Sequence, residues 1–233
     1  MSSGKIAKPK WDKIFAALEN WYKEISFIKN DTDGVNPSVS TIAEHYRRNP
    51  WAVLASTIIS LRTKDEVTIV ASERLLKKAP TPVQLSAMKE TAIEKLIYPA
   101  GFYHNKAKSL KKVAGILIDQ YKGKVPAAME ELLALPGVGR KTANLVLSEA
   151  FDIDAICVDI HVHRISNRTG WLESKTPEET EMILRKILPV KYWKRINYLL
   201  VLYGQKLCRP VSPFCSKCII TKFCSRCGVE KAR

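Results

Sequence analysis

Several things are missing from this chain of 233 residues. No stretch alternates apolar and polar residues with the period of two that marks a half-buried strand, so no sheet is expected. The longest apolar run, Trp51 to Ile59, is far short of the about 20 residues that cross a bilayer and reads as a buried helix. Met1 to Lys10 is basic and polar with no apolar segment behind it, so no secretory leader is expected and the protein is expected to stay inside the cell. Acidic side chains are scarce as well. Asp and Glu number 23 against 38 Lys and Arg, a formal charge of +15. A generally basic surface is the plain account of that imbalance; a polyanionic partner, nucleic acid first, is the functional one.

What is present is helical patterning throughout. A hydrophobic content of 46% over this length suffices for one large or two modest domains with a real core. Trp11, Ile14, Phe15, Leu18, Tyr22 and Ile25 form a helical stripe over Trp11 to Phe27. Asp31-Thr32-Asp33-Gly34 reads as a loop, and Ser40 to Tyr46 as a short helix ending before Asn49-Pro50. Trp51 to Leu61 is apolar nearly all round and belongs at the centre of a helical domain. Glu66 to Lys77, Pro82 to Met88, Ala92 to Ile97 and Asn105 to Tyr121 follow as helices separated by proline or glycine. The fold class is all-α.

The stretch from Leu135 to Leu147, LPGVGRKTANLVL, is the most informative. Pro136 breaks the apolar helical run Glu130 to Leu135, and Gly137 and Gly139 permit the positive φ of a tight turn before a second helix begins. This is a helix-hairpin-helix. Glycines let a sugar-phosphate strand approach the backbone, and the N–H groups that open the next helix point at it. Lys141 lies in the first turn of that helix. It either neutralises phosphate or acts as a nucleophile, because a helix N-terminus, the neighbouring Arg140 and desolvation all favour a neutral amine able to form a Schiff base.

Further on, Ile153 to Val158 is a short apolar segment ending at Asp159, with Ile160 to Arg168 helical. Asp159 at an N-cap is fully explained by structure; a buried carboxylate facing Lys141 is the functional alternative. His161 and His163 do not share a helix face, which argues against a zinc site made from them. Gly101-Phe102-Tyr103 is a glycine-led turn carrying aromatics, able to wedge a ring between bases or merely to cap the core.

Cys208, Cys215, Cys218 and Cys224 have the spacing C-x6-C-x2-C-x5-C. Four thiolates there suit either a 4Fe–4S cluster or zinc, and with Cys227 the set Cys215, Cys218, Cys224 and Cys227 also satisfies tetrahedral zinc. Lys217, Lys222 and Arg226 make the loop basic.

Hairpin, Val158-Asp159 ahead of a helix, and cysteine loop together resemble the endonuclease III family of base-excision DNA glycosylases, from about Ile42 to Cys224. The resemblance implies a six-helix barrel domain over residues 43–152 and a discontinuous helical domain over 1–42 and 153–233, with the cluster loop at 208–224. It implies that Lys141 is the Schiff-base lysine, Asp159 the catalytic aspartate, and Cys208, Cys215, Cys218 and Cys224 the ligands of a 4Fe–4S cluster, zinc being the lesser alternative. The DNA grip is expected from Gly137, Val138, Gly139, Arg140 and Thr142. Arg62 stands where well-known bacterial members carry a glutamine that fills the gap left by the flipped base, and Phe102 where a leucine wedge is common.

The expected protein is a monomeric bifunctional glycosylase and abasic-site lyase in the cytoplasm, at the nucleoid. It would act on duplex DNA holding an oxidised pyrimidine or an abasic site. Related adenine and thymine mismatch glycosylases lack a lysine at the position of Lys141, so a monofunctional thymine or uracil mismatch glycosylase is the enzymatic rival. A DNA-binding module without chemistry is the other.

Overall fold

The structure, a computed structural model, describes residues 9–28 and 37–233. Most of the basic stretch Met1 to Lys10, and the loop Asp31-Thr32-Asp33-Gly34, lie outside the described residues. In chain order the helices are α1 (Trp11–Ile28), α2 (Ser38–His45), α3 (Pro50–Ser60), α4 (Asp65–Lys78), α5 (Pro82–Ala87), α6 (Glu90–Ile97), α7 (Tyr103–Tyr121), α8 (Met129–Leu133), α9 (Arg140–Phe151), α10 (Ile160–Thr169), α11 (Pro177–Ile187) and α12 (Trp193–Lys206). No strand occurs among the described residues. The chain divides into two units, Pro37–Ala155 and Met1–Asn36 with Ile156–Arg233. Residue 43, the start expected for the first domain, falls inside α2; the whole helix goes with this unit because it packs on α3 and α4.

The unit of residues 37–155 is built round α3. Asn49 starts that helix by accepting a bond from Ala52 N at 3.0 Å, and Pro50 supplies a φ already suited to the first turn. Every residue from Trp51 to Ile59 is then buried. A helix apolar all round has no face to give to water, so α3 is enclosed by α2, α4, α7 and α9. Leu54, Ile58 and Ile59 are each worth about 1.5–3 kcal/mol of burial. Ala107, Leu110, Val113, Ala114 and Leu117 form the buried stripe of α7.

In the other unit, α1 packs with the C-terminal half of the chain. Trp11, Ile14, Phe15, Leu18 and Trp21 join Ile165, Leu184, Tyr192, Leu199 and Tyr203 in one core. Aromatic rings carry much of it: Phe15 stacks on Tyr192 at 3.9 Å between centroids, and Trp21 meets Tyr203 edge-on at 5.2 Å. Trp11 Nε1 donates to the Ile187 carbonyl at 2.9 Å, so the indole is satisfied inside the core. Thr176 caps α11 by accepting from Glu179 N at 3.1 Å, and Pro177 supplies the first-turn φ. The chain leaves α12 directly into the cysteine loop.

Candidate active site

The hairpin forms as its residues demand, with one difference. Gly137 adopts φ +82°, and since a Cβ there would meet only Ser109 Oγ at 3.5 Å, it is the backbone angle and not space that calls for glycine. Gly139 is extended, with φ −96° and ψ 178°, and is the N-cap of α9. Nothing stands within 4 Å of a Cβ built on it, so its part is to leave the helix start open to an approaching strand. Arg140 and Lys141 occupy the first turn, and Lys141 is exposed. Val138 and Thr142 are buried; the Val138 N–H is spent on the Leu135 carbonyl at 3.1 Å and closes the turn, whereas the Thr142 N–H is one of the first-turn donors of α9.

Asp159 is the N-cap of α10. Its Oδ1 accepts from both His161 N and Val162 N at 2.9 Å. No hydrogen bond to Oδ2 appears among the described residues, so the cap uses one oxygen and leaves the second for other work. Asp159 is half-buried, and the next residue, Ile160, is strongly exposed.

Arg62 and Phe102 come together although forty positions of chain separate them. Both have left-handed backbones, φ +53° and +56°, a conformation that costs a side-chain-bearing residue about 1–2 kcal/mol. The Arg62 guanidinium lies 5.6 Å from the centroid of the Phe102 ring, and Phe102 is 60% exposed. A Cβ on Gly101 would collide with the Arg62 carbonyl oxygen, which fixes glycine at that position.

In the cysteine loop, the thiols of Cys208, Cys215, Cys218 and Cys224 are half-buried and Cys227 is exposed. Among the described residues, which include all six cysteines, there is no disulfide. Burial pushes the Cys224 thiol up, the Arg226 N–H opposes it, and the neighbouring Cys218, Cys208 and Cys215 add to the rise. Burial raises the Cys208 thiol also, against the pull of Arg168 and Arg164. Donors converge on the sulfurs: Arg168 Nη1 on Cys208 Sγ at 3.5 Å and the Arg226 N–H on Cys224 Sγ at 3.4 Å, with Tyr203 Oη 3.0 Å from Cys218 Sγ. The same Arg168 guanidinium donates to the carbonyls of Arg209 and Pro210 at 2.7 and 2.9 Å and so pins the loop to α10. Among the described residues, no three His, Cys, Asp or Glu side chains are gathered as one metal ion requires.

Sequence reasoning passes over two buried cations, Arg168 and Lys106. A signal for each existed in the register: Lys106 lies on the stripe that Leu110, Val113 and Leu117 continue, and Arg168 on that of Val162 and Ile165. A charged residue on a core stripe needs buried partners.

Residues 55–190 match the HhH-GPD superfamily base excision DNA repair protein family. The endonuclease III of Thermotoga maritima is 46% identical over 180 residues, covering 77% of this chain and 84% of that protein. Endonuclease III-like protein 1 of Gallus gallus is 38% identical over 228 residues, covering 93% of this chain and 79% of that protein. A solved structure of a trapped endonuclease III–DNA covalent intermediate aligns with a TM-score of 0.75 at 32% identity, covering 93% of this chain and 96% of that one. With a family match over more than half its length and relatives this similar, the chain belongs to the endonuclease III family of HhH-GPD base-excision DNA repair proteins.

Proposed function

We propose that the protein is a bifunctional DNA glycosylase and abasic-site lyase that removes oxidised pyrimidines such as thymine glycol from duplex DNA. The observation that carries this reading is the exposed Lys141 in the first turn of α9, behind a glycine hairpin that leaves the helix start open. The damaged base must leave the stack, at a cost of a few kcal/mol that is smaller for a distorted lesion. Lys141 Nζ then attacks C1′ as the bond to the base breaks, and the base departs with the electron pair of that bond. Ring opening gives an imine. Loss of a C2′ proton and departure of the 3′ phosphate complete a β-elimination that leaves the 5′ side intact. Lys141 is exposed, so a DNA strand over the hairpin would meet its Nζ directly. Asp159, with Oδ1 engaged as cap, offers Oδ2 to take a proton or to face the positive charge that develops on the sugar.

Gly137, Gly139 and Arg140, with the backbone N–H of Thr142, hold the phosphates, Val138 packs beneath and closes the turn onto the Leu135 carbonyl, and Arg62 and Phe102 enter the duplex. Cys208, Cys215, Cys218 and Cys224 hold a 4Fe–4S cluster, zinc being the alternative. The exposure of Cys227 supports that choice of four. Such a cluster supplies rigidity to a loop that presents Lys217, Lys222 and Arg226, and no bond-breaking chemistry, since protein ligands fill its coordination. The work lies on chromosomal DNA in the cytoplasm.

The test is product analysis on a 5′-labelled duplex carrying thymine glycol. The β-elimination fragment is expected. Base release with an intact abasic strand would instead indicate a monofunctional mismatch glycosylase, and salt-sensitive binding without product a binding module.

A further inference from the structure

Lys106 is the buried charge that the reaction above does not use. It is 6% exposed, and its ammonium donates to the Ile59 carbonyl at 2.7 Å, the Leu61 carbonyl at 2.5 Å and Thr63 Oγ1 at 2.7 Å. An ammonium has three donors, and here all three are filled. The carbonyls belong to the C-terminal end of α3, where backbone acceptors have no partner within the helix. Thr63 Oγ1 accepts a second bond, from Gly101 N at 3.0 Å. One side chain therefore links the end of α3, the turn that carries Arg62, and through Thr63 the turn that carries Phe102.

All three acceptors are neutral, and burial pulls the ammonium down to about 8, still charged at neutral pH. A charge buried without a counter-ion is a poor device for stability, because an apolar residue of the same volume generally serves as well. Its location suggests what it does instead. It lies beneath two exposed side chains held in the left-handed backbone region and in contact with each other, an arrangement that persists only where neighbours over-determine it.

We propose that Lys106 is a positioning residue for base extrusion: it locks the Arg62 turn and the Gly101-Phe102 turn together, so that Arg62 and Phe102 meet the DNA as a preassembled pair. This rests on the reading of Arg62 and Phe102 as the residues that enter the duplex. Lys106 itself touches no DNA. Its effect is to remove the cost of ordering two turns on binding, which is how preorganisation raises affinity.

A thermodynamic cycle tests it. Dissociation constants for a duplex holding a tetrahydrofuran abasic analogue are measured with the intact metal-loaded protein, its Lys106→Met, Thr63→Val and Arg62→Ala/Phe102→Ala variants, and the combinations. Each single change and the double alanine variant should weaken binding about tenfold, and adding Lys106→Met or Thr63→Val to the alanine pair should cost nothing further. Thr63→Val carries the test if Lys106→Met fails to fold. Losses that multiply would overturn the proposal, leaving Lys106 a support for the fold alone, and so would unchanged binding by both Lys106→Met and Thr63→Val. If the alanine pair itself binds normally, it is the reading of Arg62 and Phe102 that falls, and the proposal falls with it.

Discussion

In the unit of residues 37–155 the centre is a continuous piece of chain: α3 is buried from Trp51 to Ile59, mostly by aliphatic neighbours, and the helices round it all come from that one stretch of chain. In the other unit the core is assembled from both ends of the chain by rings, and the cysteine loop beyond α12 adds little apolar mass to it, chiefly Ile220. What orders that loop is polar: Arg168 on two carbonyls and a sulfur, Tyr203 on another sulfur. One unit is held by the hydrophobic effect. The other also leans on polar contacts to its cysteine loop, and a metal bound by those cysteines, as proposed, would turn binding energy there into folding energy.

The largest test of this contrast is Cys208→Ser. It should remove the iron and brown colour and destabilise the cysteine-bearing unit by on the order of 5 kcal/mol or more. Hydrogen exchange read unit by unit should show residues 37–155 still protected; equal loss in both would break the contrast. Phe15→Ala is the apolar counterpart, expected to cost about 3–5 kcal/mol in the same unit while keeping iron stoichiometry, checked by denaturant melts and iron analysis.

A third test concerns the polar exception in the aliphatic unit. Folding lowers Lys106 from 10.5 to about 8, so between those values the unfolded chain binds more protons and stability rises with pH. The contribution is present above 10.5 and is lost as pH falls toward 8. Lys106→Met should flatten that part of the melting profile by up to about 3 kcal/mol relative to the parent. Smallest is the cap. Asp159→Ala should cost about 1 kcal/mol, whereas Asp159→Asn keeps the cap and the fold and slows turnover, a split read by comparing melting with single-turnover base release.

The helices were legible because each announces itself locally: an apolar run or stripe within, Asn49-Pro50 and Pro136 at stops; that Asn49 also caps the start of α3 came only with the structure. Asp159 as a cap and Lys141 in a first turn followed from the same signals. The packing of α1 among α10, α11 and α12 residues was not in any periodicity, since a stripe states that a face is buried and not against what. Lys106 was lost for a related reason. Its partners Ile59, Leu61 and Thr63 are more than forty residues away, and nothing local in Asn105 to Tyr121 says which of its lysines shares the apolar stripe with a buried acceptor. Gly139 shows the limit at short range: two glycines in one motif do different work, and only the backbone angles separate them.

The proposed reaction turns on a covalent bond between Lys141 and the sugar. Borohydride trapping on a thymine glycol duplex, with the parent and Lys141→Gln side by side, measures it directly. A covalent protein–DNA adduct is expected with the parent and none with the variant, although both bind the duplex. An adduct that survives in Lys141→Gln, or base release by the parent without any adduct, would contradict it.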